Sequence, residues 1–258
     1  MCTLILGLDT VGRGSVIVAA NRDEDPARPS ATPAVLREEP RVVGGRDLLK
    51  GGTWLAIRER RAAVAMLNRR PAPDAVPGRR SRGLLALEVA AAGDGGPEAA
   101  LRFARATAGP GEFAPFSLLF ASPDGCWLLA SDAAGVRETR IAPGWHAITH
   151  ADLDDTEEPR TRWLTRRLAG FAPATAVEAE RGLLDLLRFH GDEAPARGEP
   201  APPVCLHQGR MRTVSSSLVI LSSTDARYLH VEGRPCTSPA LDCSHLLGAA
   251  SAARGDRA

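Results

Sequence analysis

Cys2-Thr3-Leu4-Ile5-Leu6, a turn region from Asp9 to Gly14, and Ser15-Val16-Ile17-Val18-Ala19-Ala20 running into Asn21-Arg22-Asp23-Glu24 decide the fold. Two β-like runs around a short connection bearing Gly12 and Gly14 predict an antiparallel hairpin. A turn centred between Gly12 and Arg13 sets Cys2 opposite Asp23 and Leu4 opposite Asn21. Opposed side chains share a face of the sheet. A slip of one residue would exchange Asn21 and Asp23 for Arg22 and Glu24 on that face, so the register carries chemical meaning.

Further strands are expected around Val42-Val43, Thr53–Ile57 and Ala63–Leu67, punctuated by Gly51-Gly52 and the charged stretch from Arg58 to Arg61. Beyond a Pro-rich loop the period changes, and two helices are expected between Gly83 and Ala108, the second starting at Pro97. Strand character returns at Phe116–Phe120 and Trp127–Ala130 around the Pro123-Asp124-Gly125 turn. Helices are then expected over Glu158–Leu168 and Thr175–Phe189, followed by a hairpin of Ser216–Leu221 and Tyr228–Val231. Strands, a helix pair, strands, a helix pair and strands favour a layered α+β fold over βαβ alternation. We expect one domain over residues 1–247 and a frayed tail over 248–258.

Thirty-two Lys and Arg against 31 Asp and Glu leave a field too weak to advertise nucleic acid, and aromatics at 4% offer no base-stacking surface. The basic cluster of Arg79, Arg80 and Arg82 reads as a solvated loop. No window approaches the ~20 apolar residues of a membrane span. Five cysteines at irregular spacing, without a secretory leader, point to free thiols in a reducing, cytoplasmic setting.

Cys2 follows the initiator methionine. Removing that methionine would leave one residue bearing both a thiol and an α-amine. The amine titrates near ~8 and can act as the general base for its own thiol. An acid at the neighbouring strand end can hold the ammonium, and an arginine can stabilise the thiolate. A cysteine at this position and a charged run at a strand end also occur without any catalytic role.

Met1-Cys2-Thr3, Ala20-Asn21-Arg22-Asp23-Glu24, Gly44-Gly45-Arg46-Asp47, Gly51-Gly52-Thr53-Trp54-Leu55, Leu67-Asn68 with Arg70, Ser81-Arg82-Gly83 and Pro115–Leu119 together resemble the NRDE family. Its eukaryotic members are called transport and Golgi organisation proteins. That family in turn is similar to the cysteine N-terminal-nucleophile (Ntn) amidases, such as penicillin V acylase and bile salt hydrolase. The resemblance implies a four-layer αββα sandwich, with Cys2 as nucleophile, Arg22 supporting the thiolate and Asp23 orienting the amine. Asn21 and Glu24 compete for the last two roles. By the same resemblance Asn68 is the candidate oxyanion donor. His150 stands where these proteins often carry a further Asn, and Thr213-Val214-Ser215-Ser216 matches a late Thr-Arg-Ser-Ser segment without its arginine.

Between the two glycine pairs, Arg46 could engage a substrate carboxylate, with Asp47, Thr53 and Trp54 completing a substrate-binding set. The same segment also reads as two strand-connecting turns. Cys205-x-His207 and Cys243-x-His245 lack the paired spacing of a zinc knuckle, so no metal is expected and the thiols read as inert. The substrate is expected to be a small molecule and no cofactor is required. The alternative is a carrier of haem or a lipid-like molecule, for which haem would be the carried ligand.

Overall fold

The structure is a computed structural model and describes residues 2–70, 80–93, 95–109, 111–191 and 200–248. The Pro-rich loop and most of the expected tail lie outside the described residues. The first strands, β1 (Thr3–Leu8) and β2 (Val16–Glu24), form the expected hairpin. β3 (Ser30–Arg37), β4 (Val42–Asp47), β5 (Leu55–Arg58) and β6 (Ala62–Asn68) follow. The helix pair α1 (Arg82–Ala91) and α2 (Pro97–Thr107) precedes β7 (Phe116–Ser122), β8 (Gly125–Asp132), β9 (Gly135–Arg140) and β10 (Gly144–Ile148). Then come α3 (Pro159–Ala169), α4 (Ala176–Arg188), β11 (Arg212–Leu221), β12 (Ala226–Glu232) and the short β13 (Leu241–Asp242).

These strands build two sheets. One has the order β10-β1-β2-β11-β12-β13, and the other is the meander β3-β4-β5-β6-β7-β8-β9. Every residue of β1 is buried, because the strand is covered on both faces. Leu4, Leu6 and Val18 point between the sheets, meeting Leu55, Ile57 and Leu119 of the facing sheet. Ile5, Ile17 and Ala19 point the other way, against Leu164, Leu183 and Leu187 of α3 and α4. The outer face of the meander packs Val64, Phe120 and Trp127 against Leu85 and Val89 of α1 and Leu101 of α2. Phe120 and Trp127 stack with centroids 5.4 Å apart. The result is the four-layer αββα sandwich, with each sheet apolar on both sides.

Helix ends follow local chemistry. Glu158 caps α3 by accepting from Thr161 N–H, and Pro159 occupies the first turn, where its missing N–H costs nothing. Thr175 caps α4 by accepting from Glu178 N–H. α1 begins at Arg82, one residue before the expected span, and α2 lies within it.

Three differences from the sequence reading stand out. β3, β9, β10 and β13 were not among the expected strands: all four are edge strands, β3 carries Pro33, all six residues of β9 are exposed and β13 is two residues long, so no run of alternating apolar residues announces them. The basic cluster departs from a solvated loop at Arg82, which is the first residue of α1 and donates to Pro115 C=O, whereas Arg80 is exposed, makes two hydrogen bonds to Glu88 and lies over Phe113. The hairpin register is also shifted by one. Thr3 pairs with Asn21 and Leu4 with Ala20, so Leu4 is not opposite Asn21. Asp9 sets this: it adopts φ of 56° and its N–H donates to Ser15 C=O, while its carboxylate accepts from Gly14 N–H. The connection is therefore a seven-residue loop from Asp9 to Ser15 rather than a tight turn at Gly12.

Candidate active site

The shifted register sorts the charged strand end into two faces. Continued one step past its first pair, it sets Cys2 beside Arg22, not Asp23. Cys2 and Arg22 face the space between the sheets, and both line a cavity of about 340 Å³ there. That volume lies within the range of small-molecule sites. Asn21 and Asp23 face the helix layer instead. Asn21 Nδ2 donates to Leu187 C=O and Val204 C=O at 2.9 and 3.0 Å, and its Oδ1 accepts from Ser216. Asn21 is thereby a fully engaged bracket between β2, β11 and the end of α4.

Asp23 is buried, accepts from Thr213 Oγ1 at 2.7 Å and lies 3.4 Å from Arg160 Nη1. Burial raises its carboxyl to about 6, against the opposing hydrogen bond from Thr213 and the charge of Arg160. Arg160 also donates to Thr3 Oγ1 at 2.9 Å, so α3 grips the first residues of β1 and the end of β2 together. Sequence reasoning passed over Arg160, since a helix arginine has no distinguishing local signal. A bulge between Thr213 and Ser215 in β11 turns Thr213 toward Asp23 and leaves Ser215 opposite Arg22. Ser215 Oγ is buried with no hydrogen-bond partner among the described residues, and it lines an apolar crevice behind Cys2. The position expected to matter there, Val214, is the bulged residue itself.

The cavity's other walls come from the second sheet and α1. Arg22 lies over the Trp54 ring at 4.3 Å from its centroid, with Nη2 3.9 Å from Asp47 Oδ2. Asp47 organises its own loop by accepting from Leu49 N–H and Lys50 N–H, and it pairs with Arg28 at 2.7 Å. Burial works to raise the Asp47 carboxyl, but the hydrogen bonds from Arg28 and the loop outweigh it and hold it low. Thr53 also lines the cavity, its hydroxyl donating to Leu55 C=O, and its N–H donates to Gly83 C=O. This pairing docks α1 so that Arg82 lines the same cavity as Cys2. Burial lowers the Arg82 pKa, while a Cys2 thiolate would raise it. Arg46, by contrast, is exposed on β4 and is not a lining residue.

Asn68, the last residue of β6, lines the cavity with Cys2. His150 follows β10, whose register with β1 pairs Leu4 with Ile148; continued, it sets His150 beside Cys2 on the side away from Arg22. Arg70 Nη2 lies 2.7 Å from His150 Nε2, and a guanidinium can only donate, so the ring proton resides on Nδ1. Burial lowers the His150 pKa, which keeps the ring neutral. His150 lines neither the cavity nor the crevice.

The Cys2 thiol is itself raised above its ordinary value, first by burial and then by the Asp23 charge, with Arg22 pulling the other way. Cys2 is thus held as a thiol beside a cation.

This layering, with a cysteine at the start of β1 opening into an inter-sheet cavity, defines the Ntn-hydrolase fold class. Solved structures of that class align along most of the chain. A mutant conjugated bile acid hydrolase from Clostridium perfringens is 11% identical, with TM-score 0.54, covering 95% of this chain and 93% of its own. The Caenorhabditis elegans orthologue of N-acylethanolamine-hydrolyzing acid amidase is 13% identical, with TM-score 0.55, covering 84% and 92%. A search of curated proteins returns no match. The family model described as Transport and Golgi organisation 2 matches residues 1–225, and the chain belongs to that family. No helix among the described residues is long and apolar enough to cross a membrane.

Proposed function

We propose that this protein is an amidohydrolase in which Cys2, freed of Met1, attacks the carbonyl of a small amide carrying an anionic group. The observation that supports this reading is the common cavity of Cys2, Arg22, Asn68 and Arg82. The α-amine of Cys2 takes the thiol proton as sulfur adds to the carbonyl carbon. The amide nitrogen then leaves with that proton, and water hydrolyses the thioester to regenerate the thiol. Arg22 favours the negative sulfur, Asn68 supplies a donor for the oxyanion, and the buried Asp23 holds the amine from behind.

Substrate charge follows from the lining. Arg22, Arg28, Lys50, Arg80 and Arg82 face the cavity against Glu24 and Asp47, an excess of three positive charges. The named structural relatives act on conjugated bile acids and N-acylethanolamines; the cationic lining here favours an N-acyl amino acid over a neutral ethanolamide. Beside Cys2 the lining is cationic and the apolar crevice encloses only about 20 Å³, which disfavours a haem or lipid-like ligand at this position.

The test is hydrolysis of N-acyl amino acids and N-acylethanolamines by protein whose intact mass shows Met1 removed. Release of the free amino acid, lost in Cys2→Ala, is expected. Absence of turnover with both classes, together with saturable haem binding by Soret titration that survives Cys2→Ala, would replace the enzyme with a carrier.

A further inference from the structure

We propose that His190, Cys205, His207 and Cys236 form a closed four-coordinate site for a zinc-class metal ion, at the edge of the helix-covered sheet and separate from the Cys2 cavity. One ligand atom from each lies within 4.8 Å of all the others. Cys205 Sγ is 3.7 Å from Cys236 Sγ and 3.6 Å from His207 Nε2, and His207 Nε2 is 3.2 Å from Cys236 Sγ. A tetrahedral ion with metal–sulfur bonds of about 2.3 Å and metal–nitrogen bonds of about 2.0–2.1 Å requires a sulfur–sulfur edge of roughly 3.8 Å and sulfur–nitrogen edges of roughly 3.6 Å. Two edges of the tetrahedron are therefore already in place, and the third, from His207 Nε2 to Cys236 Sγ, need only lengthen by about 0.4 Å. His190, whose ring meets that of His207 with centroids 4.4 Å apart, supplies the fourth corner.

The chemistry of the set selects the ion. Two thiolates and two imidazoles suit zinc and its close relatives, not the oxygen-seeking magnesium or calcium. Two thiolates also neutralise a dication, so the site loads without net charge. Arg234 Nη1 lies 3.0 Å from His207 Nδ1. An ion on Nε2 moves the ring proton to Nδ1, and Arg234 then releases that hydrogen bond. Four protein ligands leave no position for a reacting water, which makes the site structural.

Its position gives it something to hold. Cys205 N–H and Val204 N–H both donate to Phe189 C=O, beside His190. Val204 C=O accepts from Asn21, and Leu206 N–H donates to Thr213 Oγ1, the same hydroxyl that bonds Asp23. The metal would clamp the segment behind Asn21 and Asp23. No sequence spacing reveals it, because the ligands come from the end of α4, the approach to β11 and the turn after β12. Only Cys205-x-His207 is local, and Cys243-x-His245 takes no part.

The full-length protein, purified without chelator, should carry one zinc equivalent per chain by elemental analysis. Cobalt(II) added after zinc removal should give intense visible ligand-field bands and a thiolate-to-cobalt charge-transfer band. The double variant Cys205→Ser/Cys236→Ser should lose both. His190→Ala, at an exposed position that leaves both thiols intact, should shift the cobalt bands and weaken binding even if the double variant fails to fold. Unchanged cobalt bands in His190→Ala, wild-type metal content no higher than that of the double variant, or a Cys205–Cys236 disulfide in freshly isolated protein would each overturn the proposal.

Discussion

Gly52→Ala should unseat α1 and with it one wall of the Cys2 cavity. A Cβ at Gly52 would lie 2.2 Å from Gly83 C, 2.5 Å from Leu84 N and 2.7 Å from Gly83 Cα. All three are backbone atoms, so no rotamer change relieves the clash. Reaching ordinary contact requires the start of α1 to move by about 1 Å, and overpacking of this kind costs about 1–3 kcal/mol. The movement also stretches the hydrogen bond from Thr53 N–H to Gly83 C=O, now 3.0 Å, worth about 1 kcal/mol. A total near 2–4 kcal/mol should lower Tm by roughly 5–15 °C in a chain of this size. Gly170→Ala is the control, since a Cβ there meets nothing within 4 Å. Urea denaturation of both variants, with amide turnover measured alongside, reads the effect. Because Arg82 leaves its place, Gly52→Ala should lose turnover beyond what its unfolded fraction explains. A Gly52→Ala protein as stable as Gly170→Ala, with turnover intact, would refute the close approach of the glycine loop to α1.

Two further outcomes follow from the charges at the strand end. Folding holds a proton on Asp23 up to about pH 6, whereas the unfolded chain releases it near 3.8. The folded state thus binds more protons between those values, so stability falls as pH rises through that window, by up to about 3 kcal/mol. The stability difference between wild type and Asp23→Asn, measured by denaturation at pH 4 and pH 7, should change by that amount in favour of the variant. A change of opposite sign would mean that Arg160 keeps the carboxylate charged. Replacing Arg22 by Leu removes a cation that lowers the Cys2 thiol. The midpoint of the iodoacetamide alkylation profile against pH should move upward, and an unmoved midpoint would remove Arg22 from thiolate stabilisation.

The residue sequence by itself determined the hairpin, the order of strand and helix groups, and the motifs whose resemblance leads to the family. Each rests on local properties: β-branched runs, turn residues, caps and apolar periodicity within a window of a dozen residues. The strands that escaped it, β3, β9, β10 and β13, all lie at sheet edges, where less of an apolar pattern is required. Tertiary structure alone decided which face each charged residue takes. Asn21 and Asp23 turn to the helices and Cys2 and Arg22 to the cavity because the Asp9 loop shifts the pairing by one residue, and in a strand one residue is the difference between two faces. It also decided that Arg22 meets Trp54, that α1 carries Arg82 into the cavity of Cys2, and that two cysteines and two histidines from three segments converge. Such encounters depend on how sheets and helices stack, and the spacing of residues along the chain holds no record of them.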